Sequence, residues 1–224
     1  MLALRRQHPM RGFRPLLILA LAALLQPASL ARQAPDAASP QNASYALDAT
    51  LDPATRTITG TGLLTWRNIS PVEATDLRFH LYWNAWRNAD SSWMREQLLG
   101  RDSALARRPA GDWGWIDMTA LALRTEAGPV DLLGGARFIA PDDGNPEDRT
   151  LLSAPLERPI RPGETVTIEL GWSARVPRTF ARTGFRGNYF FLAHWFPAVG
   201  VFEPEGWNSH QYHAGTEYFH DYGV

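Results

Sequence analysis

An all-β fold is predicted by three features of the sequence. Apolar and polar side chains alternate with a period of two, turn-forming residues interrupt these runs at regular intervals, and only one stretch suits a helix. Together they predict an antiparallel β-sandwich or a saddle-shaped sheet with one short helix, preceded by a cleaved signal peptide.

The amino-terminal segment is set apart first. Arg5, Arg6, Arg11 and Arg14 precede the apolar run from Leu16 to Leu25. That run falls well short of the roughly 20 apolar residues needed to cross a bilayer, so it is expected to direct export and then be removed. Small residues at Ser29 and Ala31 place the cut after residue 31. Gln7-His8-Pro9 do not continue a twin-arginine motif from Arg5-Arg6, so general secretion to the periplasm or the exterior is expected, with no transmembrane anchor. Residues 32–43 read as a disordered linker. From Gln33 to Asn42 they include no large apolar group and cannot offset the entropy of ordering.

Residues 44–224 then read as one β-domain. Tyr45, Leu47, Ala49 and Leu51 alternate with Ala46, Asp48 and Thr50, and Asp52-Pro53 turns the chain. Ile58, Leu64 and Trp66 mark the buried face of a returning strand whose other face carries Thr57, Thr59, Thr61, Thr65 and Arg67. Gly60 and Gly62 within it signal a bulge or a close backbone approach. Leu77, Phe79, Leu81 and Trp83 predict a third strand, and Asp90 to Leu99 the helix, capped by Asp90 or Ser91 and stopped by Gly100. Further strands are expected at Ile116 to Leu123, at Val166 to Trp172 after the turn Arg161-Pro162-Gly163-Glu164, and at Tyr189 to Phe196. The last is apolar almost throughout and is expected to be buried on both faces. Arg101 to Gly111 and Pro141 to Asp148 read as surface loops, and Gly134-Gly135 as a turn. Tyr218, His220, Tyr222 and Val224 lie two apart, the pattern of a strand in progress, so the sequence is expected to be a fragment of a longer protein.

Composition removes several functions. Absence of cysteine excludes disulfides, thiolate metal sites and a cysteine nucleophile. All 22 basic residues are Arg; without residues 1–31, 18 remain against 23 acids, a net charge near −5 that disfavours a nucleic-acid partner. No G-x-S-x-G, H-E-x-x-H, phosphate loop or dinucleotide fingerprint occurs.

Two clusters bear on chemistry. His210, His213, Glu217, His220 and Asp221 fall within a dozen residues, and on a helix His213, Glu217 and His220 would share a face. Gly215 interrupts that helix, and on a strand the groups divide between faces. The favoured reading is partly buried histidines and acids hydrogen-bonded across a sheet edge, with no metal ligand assigned. A zinc hydrolase built on His210, His213 and Glu217 is the sharper alternative. Trp83, Trp86, Trp93, Trp113 and Trp115 could form a sugar-stacking platform, but aromatics more commonly supply core and interface area, so packing is expected.

The run Tyr45 to Asp52, then Ile58-Thr59-Gly60-Thr61-Gly62 and Trp66-Arg67-Asn68, resembles the first hairpin of the zinc aminopeptidases typified by aminopeptidase N. Phe79-His80-Leu81-Tyr82-Trp83-Asn84-Ala85-Trp86, His194-Trp195-Phe196-Pro197, Gly206-Trp207-Asn208 and Glu217 to Val224 extend the resemblance to a bacterial, Trp-rich branch of that family across Tyr45 to Val224. The resemblance implies a non-catalytic β-domain that packs on a thermolysin-like catalytic domain and helps to wall its peptide cleft. Zinc, held in the family by H-E-x-x-H and a further Glu, and the amine-binding G-x-M-E-N strand are then expected outside these residues. The family's amino-terminal domain often adds a Gln or Glu to amine recognition, yet the corresponding Gly187-Asn188-Tyr189-Phe190-Phe191 has no carboxylate. No catalytic or metal residue is assigned in this chain, no substrate-binding residue is identified, and no cofactor is expected in it. The alternative from another class is a stand-alone secreted β-sandwich that binds carbohydrate or protein.

Overall fold

The computed structural model describes residues 41–99, 105, 107–180 and 183–214. The signal peptide, linker residues 32–40, the stop at Gly100, the strand pattern from Tyr218 and the candidates Glu217, His220 and Asp221 lie outside the described residues. In chain order the elements are β1 (Ala43–Asp52), β2 (Thr57–Arg67), β3 (Ala74–His80), α1 (Ser92–Leu99), β4 (Trp115–Thr125), β5 (Gly128–Asp131), β6 (Arg137–Phe138) and β7 (Leu151–Ile160). They continue with β8 (Thr165–Arg175), β9 (Gly184–Arg186), β10 (Tyr189–Phe191), β11 (Ala198–Val199), β12 (Val201–Glu203) and β13 (Gly206–Asn208).

The fold is all-β, and each pairing between named strands is antiparallel. One sheet runs β1-β2-β8-β4-β5 and a second β11-β3-β7-β6, while β9–β10 and β12–β13 form separate hairpins. Inward side chains of both sheets share one buried cluster, in which Ile58, Leu64, Trp66, Ile168 and Trp172 of the first sheet join Leu77, Phe79, Leu152 and Ala154 of the second. Two sheets on one core are the layers of a sandwich.

The first hairpin follows the sequence pattern closely. Asp52 holds its turn, accepting the Ala54 N–H at 2.9 Å and the Thr55 hydroxyl at 2.8 Å. Pairing of β1 with β2 is unbroken from Asp52↔Thr57 to Ala43↔Trp66, so the glycines mark close approach and not a bulge. A Cβ on Gly60 would stand 2.2 Å from the Trp172 indole, and one on Gly62 2.5 Å from Leu47. The Arg161–Glu164 turn also forms as expected. Glu164 N–H donates to the Arg161 carbonyl at 3.0 Å, and Gly163 takes φ of 78°, the left-handed position that follows Pro in a type II turn. Breaks in register lie instead in β4, where the pairing with β8 shifts between Met118 and Ala120, and in β3, where the pairing with β7 shifts between Ala74 and Asp76.

Four expectations need correction. Asn42 and Ala43, placed in the linker, are buried, and Ala43 opens β1 because β2 extends far enough to pair with it. The third strand ends at His80. Tyr82–Trp86 forms a 3-10 turn held by Asn84, whose amide donates to the Arg149 carbonyl at 2.8 Å and whose oxygen accepts the Ile116 N–H at 3.0 Å. Tyr189 to Phe196 is not a strand buried on both faces. Only Tyr189–Phe191 is extended, and it pairs with β9 alone, so no sheet encloses it; Tyr189 is 68% exposed and Phe191 52%. The loop from Pro141 to Asp148 is not purely superficial, since Asn145 and Asp148 are buried.

Gly60→Ala is expected to destabilise the chain by on the order of 2–3 kcal/mol, because the Trp172 ring sits in a packed core and cannot withdraw. Gly111→Ala, where the nearest atom to a new Cβ is 3.9 Å away, is expected to stay within about 0.5 kcal/mol of the native chain in urea unfolding. Equal effects of the two would contradict this packing.

Candidate functional site

The densest polar cluster joins the start of α1, the loop 141–148 and the segment 209–214. Ser91 caps α1, its Oγ accepting the Met94 N–H at 3.2 Å while donating to the Ala85 carbonyl at 2.6 Å. The Ser92 N–H, left unpaired by the helix, donates to Asp148 Oδ2 at 2.9 Å. Asp148 Oδ1 takes both the N–H and the hydroxyl of Thr150. The Ser92 hydroxyl donates to Asp143 Oδ2 at 2.6 Å and accepts from Asn145 Nδ2 at 3.2 Å and Gln211 Nε2 at 2.9 Å. It is buried and fully engaged, so it is not poised as a nucleophile.

Gln211 ties the third segment in. It is completely buried. Its Nε2 also donates to Asp143 Oδ1 at 2.7 Å, its Oε1 accepts the Asp142 N–H at 3.0 Å, and its own N–H donates to Asp142 Oδ2 at 2.8 Å. Next along the chain, Tyr212 N–H donates to Thr150 Oγ1 at 3.1 Å. Every polar end of the glutamine side chain is matched, as burial requires.

The two histidines converge on one carboxylate. His210 Nδ1 lies 2.8 Å from Asp142 Oδ1, and His213 places Nε2 3.1 Å from Asp142 Oδ2 and Nδ1 2.6 Å from Glu96 Oε1. Glu96 Oε2 accepts the Ala214 N–H at 2.8 Å. Both His213 nitrogens face acceptors, so the imidazolium is the form that satisfies both contacts. Burial lowers its pKa, but the hydrogen bonds and charges of Glu96 and Asp142 outweigh burial and raise it above the ordinary 6.5. Burial raises Asp142 and Asp143, yet each ends below the ordinary 3.8. Contacts from His210, the Gln211 N–H and His213 act on Asp142; the Ser92 hydroxyl, the Asn145 N–H, Gln211 and the charge of His213 act on Asp143.

Chemically, this array is a clasp. A histidine with both nitrogens on carboxylates has no open lone pair for a metal, and among the described residues no three His, Asp or Glu side chains are arranged to hold a metal ion. The structure therefore brings His210 and His213 together with acids through α1 and a loop, and not across a sheet edge as the sequence suggests. Sequence pattern alone does not single out Glu96, Asp142, Asp143 or Gln211. A signal for part of the set exists: Asp142-Asp143-Gly144-Asn145-Pro146-Glu147-Asp148 is dense in side chains that fold back on nearby backbone, as Asp143 does on the Asn145 N–H and Asn145 on the Glu147 N–H.

The tryptophans pack. Trp83 is buried and donates its indole N–H to the Ala193 carbonyl at 2.8 Å. Trp86 is buried edge-on to Trp93 and stacks at 5.8 Å on Phe180, whose ring also stacks with Trp113 at 6.0 Å. Trp115 is half-buried beside the Arg87 guanidinium, which grips Asp117 at 2.7 and 3.1 Å. These five rings form no exposed coplanar platform. Among the described residues the exposed aromatics are instead Tyr189 and Phe191 on the β9–β10 hairpin, with Phe138 less so.

The clasp has a defined pH response. Because folding raises the His213 pKa, its contribution is fully present below about 6.5 and is lost as pH rises through the folded value. The two aspartates contribute above 3.8 and lose their share as pH falls through their lowered folded values. The His213 ring signals are expected to titrate above 6.5 and to move down in Glu96→Gln. The urea-midpoint difference between the native chain and His213→Gln is expected to shrink above that pH. Titration of His213 at or below 6.5 would contradict the clasp.

No protein-family model matches this chain, and comparison with curated proteins finds no match.

Proposed function

We propose that residues 44–224 form a non-catalytic β-domain of an exported zinc metallopeptidase of the aminopeptidase type. The domain packs on a catalytic domain outside these 224 residues and shapes its peptide cleft. Zinc and the hydrolytic residues belong to that second domain, for which this chain supplies a surface.

The observation that carries this reading is the β9–β10 hairpin. A chain that seals four tryptophans to 1% exposure or less leaves Tyr189 and Phe191 open on a two-stranded hairpin. Aromatic residues that give up little entropy on contact are the usual anchors of protein interfaces. The hairpin falls in the stretch where the resembled family often adds a Gln or Glu to amine recognition, and here Gly187 to Phe191 carries neither. Of the other resembling segments, three lie on the β1–β2 hairpin, at the end of β3 with its 3-10 turn, and on β13, His194-Trp195-Phe196-Pro197 lies between β10 and β11, and Glu217 to Val224 lies outside the described residues. Phe185 and Phe190 pack against each other beneath the hairpin at 6.1 Å, and the Arg56 guanidinium covers Phe185 at 4.5 Å, so the exposed rings stand on a packed base.

Native protein purified from its host is expected to carry these residues joined to, or in stable complex with, a domain that holds H-E-x-x-H and one zinc. With the two parts prepared separately, replacing Tyr189 and Phe191 by Ser is expected to weaken their association at least about tenfold without altering the circular dichroism of this chain. Recovery of the chain as a zinc-free monomer with no peptidase partner, or with saturable glycan binding, would contradict the proposal.

A further inference from the structure

A groove beside the first half of β3 takes no part in the clasp or in the hairpin surface. β11 pairs with β3 only at His80 and Phe79, and the Gly200 N–H then donates to the Arg78 carbonyl at 2.8 Å. Beyond that point the chain leaves the sheet to form β12 and β13, and from Ala74 to Leu77 no described strand occupies this edge of β3. The space between is an open groove of about 550 Å³. Its walls include Phe202 and Trp207, the latter half-buried and stacked on Trp66 at 5.6 Å.

The charges along the groove are unequal. Arg78 is committed, with Nε on Asp76 Oδ2 at 2.9 Å and Nη1 on Ser209 Oγ at 2.8 Å. Glu73 and Glu205 are exposed at the rim and form no ion pair among the described residues. One compensated pair and two uncompensated carboxylates leave the groove negative. Native sheets seldom leave an edge open without a device against indiscriminate pairing, and acids along an edge repel acidic strands, disfavour neutral ones that would desolvate an unpaired charge, and admit basic ones.

We propose that the groove binds an extended, Lys- or Arg-containing segment of another polypeptide, which adds as a strand to the free edge of β3. The β3 backbone supplies the hydrogen bonds, Glu73 and Glu205 pair with the basic heads, and Trp207 and Phe202 cover the aliphatic stems. From Ala74 to Leu77 the edge spans about 14 Å at about 3.4 Å per residue, room for about four residues of partner. This inference is independent of the metallopeptidase reading.

The test uses the full chain at low salt and a fluorescent peptide of about seven alternating Lys and Val residues, long enough to overrun the edge. Saturable binding of one peptide per chain is expected. Replacing Glu73 and Glu205 by Lys is expected to weaken it at least about tenfold, as loss of complementary charge does. The same peptide N-methylated throughout keeps its charge but cannot donate, and is expected to lose at least as much, which separates strand addition from charge attraction without altering the protein. A Glu-Val peptide is expected not to bind. The proposal is overturned by no saturable binding of the Lys-Val peptide, by equal binding of the N-methylated or the acidic peptide, by unchanged affinity in the double variant, or by a dimer of this chain that the double variant dissociates.

Discussion

The contact on which the larger sheet depends is that between Gly60 and Trp172. β8 is the middle strand, flanked by β2 and β4, and its inward row of Val166, Ile168, Leu170, Trp172 and Ala174 is buried along its length. The indole of Trp172 can lie flat within that row only because its neighbour on β2 has no side chain. Gly62 makes the same room for Leu47 of β1. The absence of two methyl groups thus sets how closely three strands share a core face. A cost follows from using indoles as filler, since the N–H groups of Trp66, Trp86 and Trp172 are buried without an acceptor among the described residues. Each such loss costs roughly 1–3 kcal/mol, whereas removing on the order of 200 Å² of ring from water gains about 5 kcal/mol, so the packing wins.

Much of this was legible because it follows from local periodicity. The β1–β2 hairpin, the Arg161–Glu164 turn, β4, β8 and the Ser91 cap all fall where alternation, turn chemistry or capping places them, since each is decided by residues close in sequence. The failures share the opposite cause. Tyr189 to Phe196 is apolar in both parities, which signals enclosure only if a sheet surrounds it, and no local pattern reports that β10 pairs with β9 alone. Trp83 keeps the strand alternation, yet Asn84, bonded to Arg149 and Ile116 from distant segments, curls the chain into a 3-10 turn. The clasp was half legible: the proximity of His210 and His213 is written in the sequence, but their partners Glu96 and Asp142 lie 117 and 68 to 71 residues away and are brought in by folding.

The polar cluster that most resembles a catalytic array saturates its own donors and acceptors, fastening residues 209–214 to α1 and the 141–148 loop. It therefore acts as a fixture. Beyond the sealed interior, the described residues offer an aromatic hairpin and an acidic, open-edged groove, the two surfaces that we propose receive another polypeptide. Among the described residues most of the aromatic mass is internal, and the two most exposed rings, Tyr189 and Phe191, stand on one hairpin.

That division between sealed core and open hairpin can be measured residue by residue through amide hydrogen exchange on the isolated chain. Backbone amides of β8 and β2 should exchange only through global unfolding, while those of β10 should exchange faster by orders of magnitude, in keeping with the low local stability of contact elements. Protection of β10 equal to that of β8 would mean that the hairpin belongs to the core, and would contradict its proposed role as a surface held apart for a partner.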